Sequence, residues 1–359
     1  MEGNNSQNTS GRIQLNEVFK MPGTEVSLLI IMFVATISGT FGNILVINAV
    51  FRTKELRTVA NYFIVNLALA DICVSGIVNP FSIIGVLDGE QYFLDRPGLC
   101  EFVASFCLTA CYCSLLSIGC ISINRYIHIC HKDLYPKLYT PCKGALMLIA
   151  LWIVSFLLEM PNFFGFGGHG YDRKTLTCLW DRTAHYGYNL FFVFFGVCTP
   201  LVIIAACYTK IFIFAHQAKR KIAMTANRPA TKAGKERAES MKLAKTLFAI
   251  FVCFCLCWTP YAIIVVSDVN DTFPMEPHSF SILIAHVNSS LNCILYGVFN
   301  RGFRRAYSRI LCIDRCMKQK EKFPQSNFTR NITETSAVPY VVSTINLVSS
   351  TTNLKPPTP

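Results

Sequence analysis

Seven blocks of apolar residues constrain this chain more than any other feature. They run roughly over 26–51, 60–87, 101–130, 145–164, 188–215, 243–266 and 279–299. About 20 residues carry a helix across the hydrocarbon core of a bilayer. Lipid offers backbone amides no partner, so such blocks fold as helices that satisfy their own hydrogen bonds. With 52% hydrophobic and only 15% charged residues among 359, the chain is too apolar for an ordinary soluble domain. The predicted fold is an all-α membrane protein, a seven-transmembrane helix bundle. After the last block, residues 301–311 (RGFRRAYSRIL) carry Phe303, Tyr307, Ile310 and Leu311 at helical spacing between arginines. That pattern predicts a short amphipathic helix lying on the membrane.

Seven spans put the two ends of the chain on opposite sides, and lysine and arginine decide which is which. One set of loops carries Arg52, Lys54 and Arg57, then Lys132, Lys137 and Lys143, then a basic run within 217–242, and finally Arg301, Arg304, Arg305 and Arg309. The opposite loops carry Asp88, Glu90, Asp95, Asp268, Asp271 and Glu276, with Arg173, Lys174 and Arg182 against the trend. The N-terminus is therefore expected outside, in a plasma membrane. The net charge of +12 reflects this asymmetry and not a nucleic-acid footprint. The predicted organisation is an outer tail over 1–25, a bundle over 26–300, the amphipathic helix over 301–312 and a disordered cytoplasmic tail over 313–359. The start is polar and has no signal-peptide pattern. The sequons at Asn4 and Asn8 are expected to be glycosylated, whereas those at Asn327 and Asn331 fall inside.

Most of the 17 cysteines lie within apolar blocks, where cysteine acts as a small hydrophobe. Cys100 and Cys178 fall on the outer side, where disulfides persist, and are expected to bond. Cys312 and Cys316 lie just inside the membrane and suit S-palmitoylation; two free thiols are the alternative. The third block runs from Cys100 to Arg125, about 38 Å as a helix, enough to join the two membrane faces. A helix that reports events across the bilayer and a helix ending in a snorkelling arginine both fit this pattern. Asp71 sits mid-block, and an acid there needs partners such as Asn43, Ser114, Asn288 and Asn292. A bound cation and a neutral hydrogen-bond network are the two readings of that cluster. Glu159 is read as interfacial and solvated, or else as a ligand contact. Pro260 bends the sixth block beside Trp258, and Trp180 and Arg182 follow Cys178 over the mouth of the bundle. Arg182 either receives a carboxylate or planar acceptor, or pairs with Asp181 or Asp172, or faces water.

Taken jointly, Gly42-Asn43, Leu67 with Asp71, Cys100 with Cys178, Asn124-Arg125-Tyr126, Trp152, Pro200 with Tyr208, Cys257-Trp258-Thr259-Pro260, and Asn292 with Tyr296 resemble the rhodopsin-like (class A) G-protein-coupled receptors. The resemblance runs from residue 26 to about 312. It is nearest to the melatonin receptors and related orphan receptors: Asn124 precedes Arg125-Tyr126, Ile129-Cys130-His131 follows, and Pro161-Asn162 ends the fourth block. Tyr171-Asp172 precedes Cys178, and Asn292-Cys293 replaces the usual Asn-Pro. The resemblance implies a receptor, not an enzyme, that converts small-molecule binding outside into activation of a heterotrimeric G protein, with inhibitory-class coupling. It implies that Asn124, Arg125, Tyr126, Tyr208 and Tyr296 serve coupling and activation, and that Asp71, Ser114, Asn288 and Asn292 form an allosteric sodium pocket. Arrestin and receptor kinase would act through the Ser/Thr-rich tail, and membrane lipid surrounds the bundle.

The implied ligand pocket comprises Cys107, Asn162, Trp180, Arg182, Gly196, Trp258 and His286. Two of these depart from the melatonin pattern: Arg182 stands for a loop glutamine and Gly196 for a histidine. Cys107 also denies an amine the carboxylate that aminergic receptors offer, and His286 denies a retinal the lysine of opsins. Neutral or acidic small molecules are therefore expected to outrank amines. Different classes remain in view. A receptor for another ligand (lipid, acid or peptide) is one, and a non-signalling binder is another, given Asn124 and Cys293. A transporter would need a polar file through the bundle, whereas only Asp71 lies deep, and no inverted repeat is apparent.

Overall fold

The computed structural model describes residues 22–223 and 232–311, with side chains omitted over 218–247. Among the described residues, seven helices are long and apolar enough to cross a membrane: Gly23–Arg52, Val59–Leu94, Pro97–Cys130, Pro141–Phe164, Tyr186–Gln217, Phe248–Ser267 and Met275–Phe299, called spans one to seven below. Asn4, Asn8, Cys312, Cys316 and the C-terminal tail lie outside the described residues. The sixth helix begins at Lys232, inside the stretch read from sequence as a basic loop. Residues 232–245 hold four Lys, three Ala and two Glu, all strong helix formers, and continue the helix out of the apolar block.

Span three is the central post, with 72% of its most apolar window buried, against 17% for span four at the periphery. Its burial follows from small and apolar residues around most of its circumference (Ala104, Leu108, Ala110, Tyr112, Cys113, Ser117, Ile118), which leave little polar side to turn outward. Polar side chains tie the spans where lipid supplies no competing water. Asn66 of span two donates to Ser117 Oγ at 2.9 Å and accepts from Trp152 Nε1 at 2.9 Å, joining spans two, three and four. Asn43 of span one donates to the Ser289 carbonyl of span seven at 2.8 Å. Where span seven lacks the usual proline, Cys293 fills the gap left by a glycine. A Cβ on Gly42 would lie 2.2 Å from Cys293 Sγ, so only glycine lets the two helices approach there.

Between spans four and five, β1 (His169–Asp172) and β2 (Thr177–Trp180) form an antiparallel hairpin with Tyr171 opposite Cys178. The Cys100–Cys178 disulfide pins β2 to the start of span three. Tyr171 Oη donates to the Gly85 carbonyl at 2.7 Å, and Ser82 and Thr177 share a 2.7 Å hydroxyl contact, so the hairpin lies against span two as well. At the other end, helix Arg301–Ile310 is capped by Asn300 Oδ1, which accepts from the Gly302 amide at 2.9 Å. Its Phe303 is buried and stacks on Tyr296 at 5.2 Å while Arg301, Arg304, Arg305 and Arg309 stay exposed.

Candidate functional site

Polar clusters occupy four levels of the bundle, from the disulfide end to the arginine end. At the disulfide end an open cleft of about 390 Å³ is lined by Asp172, Lys174, Trp180, Arg182 and Asp271, among others. Arg182 is not a free cation there. Its Nε donates to Asp172 Oδ2 at 3.1 Å and its Nη2 to the Asp271 carboxylate, with Asp268 Oδ2 3.9 Å from Nη1. Asp181, its sequence neighbour, instead accepts from the Thr183 and Ala184 amides. Lys174 reaches Asp271 Oδ1 at 2.7 Å and Asp268 Oδ2 at 3.6 Å. The result is a latch between the hairpin loop and the loop joining spans six and seven. Burial opposes ionisation of Asp268. The His278 hydrogen bond and the Thr272 and Phe273 amides outweigh it and hold the carboxyl well below the usual range. Asp268, Asp271 and His278 bring ligand atoms within 4.8 Å of one another, a spacing a metal ion could use, but Lys174 and Arg182 already supply the opposing charge.

Beneath the hairpin, Trp180 is buried, with Nε1 donating to Asn189 Oδ1 at 3.3 Å and its ring packed on Phe192 and Tyr261. Cys107 Sγ lies 3.6 Å from His286 Nε2, both buried, so spans three and seven meet where the sequence places a pocket. Next to these, Cys111, Tyr112, Leu115, Phe192, Gly196, Val197, Phe254 and Trp258 line a narrow gap of only about 10 Å³. Gly196 and Trp258 are walls of it; Asn162 is not. Asn162 donates to Glu159 Oε2 at 3.0 Å, and Glu159 is fully buried against His169 Nε2 at 2.5 Å. The solvated Glu159 expected from sequence is therefore corrected: the hairpin folds His169 over it and excludes water. Tyr112, Tyr188, Glu159 and His169 form a connected network that sequence reading missed. The small residue Gly196 was its only local sign, because a Cβ there would lie 2.4 Å from Tyr112 Cε1.

Deeper, Asp71 accepts from Ser114 Oγ at 3.1 Å and Asn292 Nδ2 at 2.8 Å, with the Ser289 hydroxyl as a third neighbour. Asn43 turns to the Gly39 and Ser289 carbonyls instead, and among the described residues no hydrogen bond joins Asn288 to Asp71. Ser289, one residue on, takes the place expected of Asn288; a rotation of one residue about span seven moves a side chain by roughly 100°. The side-chain amide oxygens of Asn288 and Asn292 are buried without hydrogen-bond partners. At the arginine end, Arg125 is 7% exposed and pairs with no carboxylate among the described residues. Its neighbour Asn124 is buried and neutral, and Tyr126 Oη meets His131 Nε2 at 2.9 Å. Tyr208 and Tyr296 line one small gap with Leu67, Ile118, Ile121, Ser122 and Ile250.

The family model described as 7 transmembrane receptor (rhodopsin family) matches residues 42–296. The chain belongs to this receptor family. Among curated relatives, melatonin receptor type 1B-B of Danio rerio is 32% identical over 289 residues, covering 78% of this chain and 80% of the relative. Melatonin receptor type 1B of Homo sapiens is 32% identical over 297 residues, covering 81% and 79%. The crystal structure of squid rhodopsin superposes with a TM-score of 0.73 at 25% identity, covering 82% of this chain and 87% of that one. This rhodopsin-family receptor is thus a multi-pass membrane protein related to the melatonin receptors. A small-molecule ligand and a G protein are the partners its family implies.

Proposed function

We propose that the chain is a plasma-membrane receptor whose disulfide end faces outward, binds a small ligand beneath the hairpin, and drives heterotrimeric G-protein activation at the Arg125 end. The observation that carries this is one face of span six. Trp258, Phe254 and Ile250 follow one another at four-residue steps, which places them on one side of a helix. Trp258 and Phe254 line the narrow gap beneath the hairpin and stack at 5.8 Å; Ile250 lines the gap shared with Tyr208 and Tyr296. Pro260, within the same helix, is the natural place for it to bend. A ligand that favours a rotated span six shifts the population toward a state in which Tyr208 and Tyr296 turn to Arg125.

The names of the relatives make a melatonin-like indole the first ligand to try, and inhibitory-class coupling, which only the resemblance implies, is the first pathway to read. Sodium at Asp71, Ser114 and Asn292, with the free carbonyl of Asn288, is the matching allosteric ion. Arrestin and receptor kinase would meet the Ser/Thr-rich tail, with glycans on Asn4 and Asn8 and palmitoyl chains on Cys312 and Cys316. The alternative, a receptor for another small molecule, is favoured by the filled space at Gly196 and the paired Arg182. The test is G-protein activation by the surface receptor across a panel of neutral indoles, phenols and amines. Agonist-dependent nucleotide exchange that disappears in Arg125→Ala at matched expression is the expected result. A panel that binds without any exchange would sink the signalling reading.

A further inference from the structure

In the outer latch the ammonium of Lys174 sits where an ion could. Carried on the hairpin turn, its Nζ donates to the Asp271 carbonyl at 2.6 Å. It also lies 2.7 Å from Asp271 Oδ1 and 3.6 Å from Asp268 Oδ2. Asp268 Oδ2 in turn is 2.8 Å from Nε2 of His278, near the start of span seven. Two carboxylates and an imidazole nitrogen therefore each bring a ligand atom to within 4.8 Å of the others, with a backbone carbonyl beside them. Lys174 and Arg182 supply most of the opposing charge but not all of it. Three carboxylates, Asp172, Asp268 and Asp271, face these two cations, so the cluster keeps one negative charge. The Asp268 side chain is fully buried, where water does little to screen that excess. A divalent ion in place of the single ammonium would make the cluster neutral.

The donor spacing suits a small four-coordinate ion. Zinc holds nitrogen and oxygen ligands at about 2.0–2.2 Å, which sets neighbouring ligand atoms about 3.4 Å apart. One pair here stands at 2.8 Å and all three within 4.8 Å, on either side of that value. Asp271, 42% exposed on its loop, is the donor that can move to close the difference. An imidazole among carboxylates favours zinc and its transition-metal neighbours, whereas calcium and magnesium take oxygen ligands. The route from solvent is open, because Lys174 and Asp271 both line the outer cleft of about 390 Å³. We propose that Asp268, Asp271 and His278 form an outer-face site for a zinc-class divalent ion, with Lys174 as the built-in competitor that the ion displaces. The ion braces the 268–273 loop on span seven and releases the hairpin turn, leaving the Arg182 ion pairs to hold hairpin and loop together.

The test needs neither a small ligand nor a G protein, so its outcome is separate from that of the signalling reading. Purified full-length receptor is titrated with zinc chloride alone, and hydrogen–deuterium exchange over 268–273 reports occupancy. Zinc should slow exchange there in the wild type, since the loop is then held by the ion. Lys174→Gln removes the competitor and should tighten zinc binding by about tenfold, the scale of one like charge taken away at a partly exposed site. Zinc held elsewhere on the chain would gain nothing from that change. Asp271→Asn should weaken binding by at least about tenfold, as loss of a ligand costs no less than loss of a ligand's supporting partner. His278 is fully buried and its replacement endangers the fold, so the two variants at partly exposed loop positions carry the test. No slowing by zinc in the wild type or in Lys174→Gln would overturn the proposal. So would zinc affinity that is unchanged or lower in Lys174→Gln, a response that survives Asp271→Asn, or an equal response to calcium at the same concentration.

Discussion

Asp271→Ala removes the carboxylate on which both cations of the outer latch converge. Arg182 is almost fully buried and Lys174 is 20% exposed, but Asp271 itself is 42% exposed. Two charge-assisted bonds at about 1.5–3 kcal/mol each would overstate the loss, because water screens the exposed partner and exposed pairs contribute only about 0.2–1 kcal/mol. A cost of about 1–2 kcal/mol to loop closure is the reasonable middle, equivalent to about 5–30-fold in an opening equilibrium. The reporters are the Thr272 and Phe273 amides, which donate to Asp268 Oδ1 at 2.6 and 3.2 Å and exchange with solvent only when the loop opens. Hydrogen–deuterium exchange over 268–273 should therefore accelerate by about 5–30-fold in Asp271→Ala. Lys174→Ala should add less to that variant than to the wild type, because the two share one interaction. Exchange that stays unchanged, or strict additivity, would refute the latch. Its pH dependence has a definite sign. Burial works against the Asp271 charge, but hydrogen bonds from Lys174 and Arg182 outweigh it and hold the carboxyl below its ordinary range. A depressed carboxyl contributes stability above its unfolded value and loses it as pH falls through the folded one. The Asp271 contribution to closure should thus be constant above about pH 5 and be lost only below about pH 4.

Gly196→His, the change that would restore the melatonin-receptor residue, should lower stability and ligand binding, since its Cβ would lie 2.4 Å from the Tyr112 ring; the double variant with Tyr112→Ala should recover part of the loss in a thermal melt. A stable, better-binding single variant would contradict the filled-space argument. Asn124→Asp should lower basal G-protein activation, because a carboxylate holds the buried Arg125 in its resting pose more firmly than an amide does, and basal exchange measured at matched expression checks it. Sodium should reduce agonist affinity by about 5–150-fold at saturation, the ordinary range of allosteric coupling, and Asp71→Asn should abolish the effect in a competition assay. A sodium response that survives in Asp71→Asn would place the ion elsewhere.

The seven spans and the amphipathic helix after span seven were legible in the sequence because each depends on local information, and Cys100 with Cys178, 78 positions apart, because the charge asymmetry puts both on the outer side. Block length sets whether a helix can cross a membrane, and side-chain period sets which face is apolar; neither needs a distant partner. The residues that meet in the candidate site were only half legible. Cys107 and His286 were placed in one pocket by resemblance to the receptor family, and the structure joins them at 3.6 Å. Arg182 finds Asp271, 89 positions away in sequence, because the disulfide and the hairpin carry the loop over the bundle; no neighbour in sequence reveals that. Ser289 and not Asn288 reaches Asp71 because packing sets the rotation of span seven about its axis, which a period alone leaves open. Glu159 reads as an interfacial acid until the hairpin lays His169 on it, and Gly196 reads as a missing side chain until the Tyr112 ring is seen in its place. Local chemistry therefore decided that helices form and how they are ordered across the membrane. Only the tertiary structure decided which polar group faces which, since that depends on helix rotation and loop path, and both are set by the packing of the whole bundle.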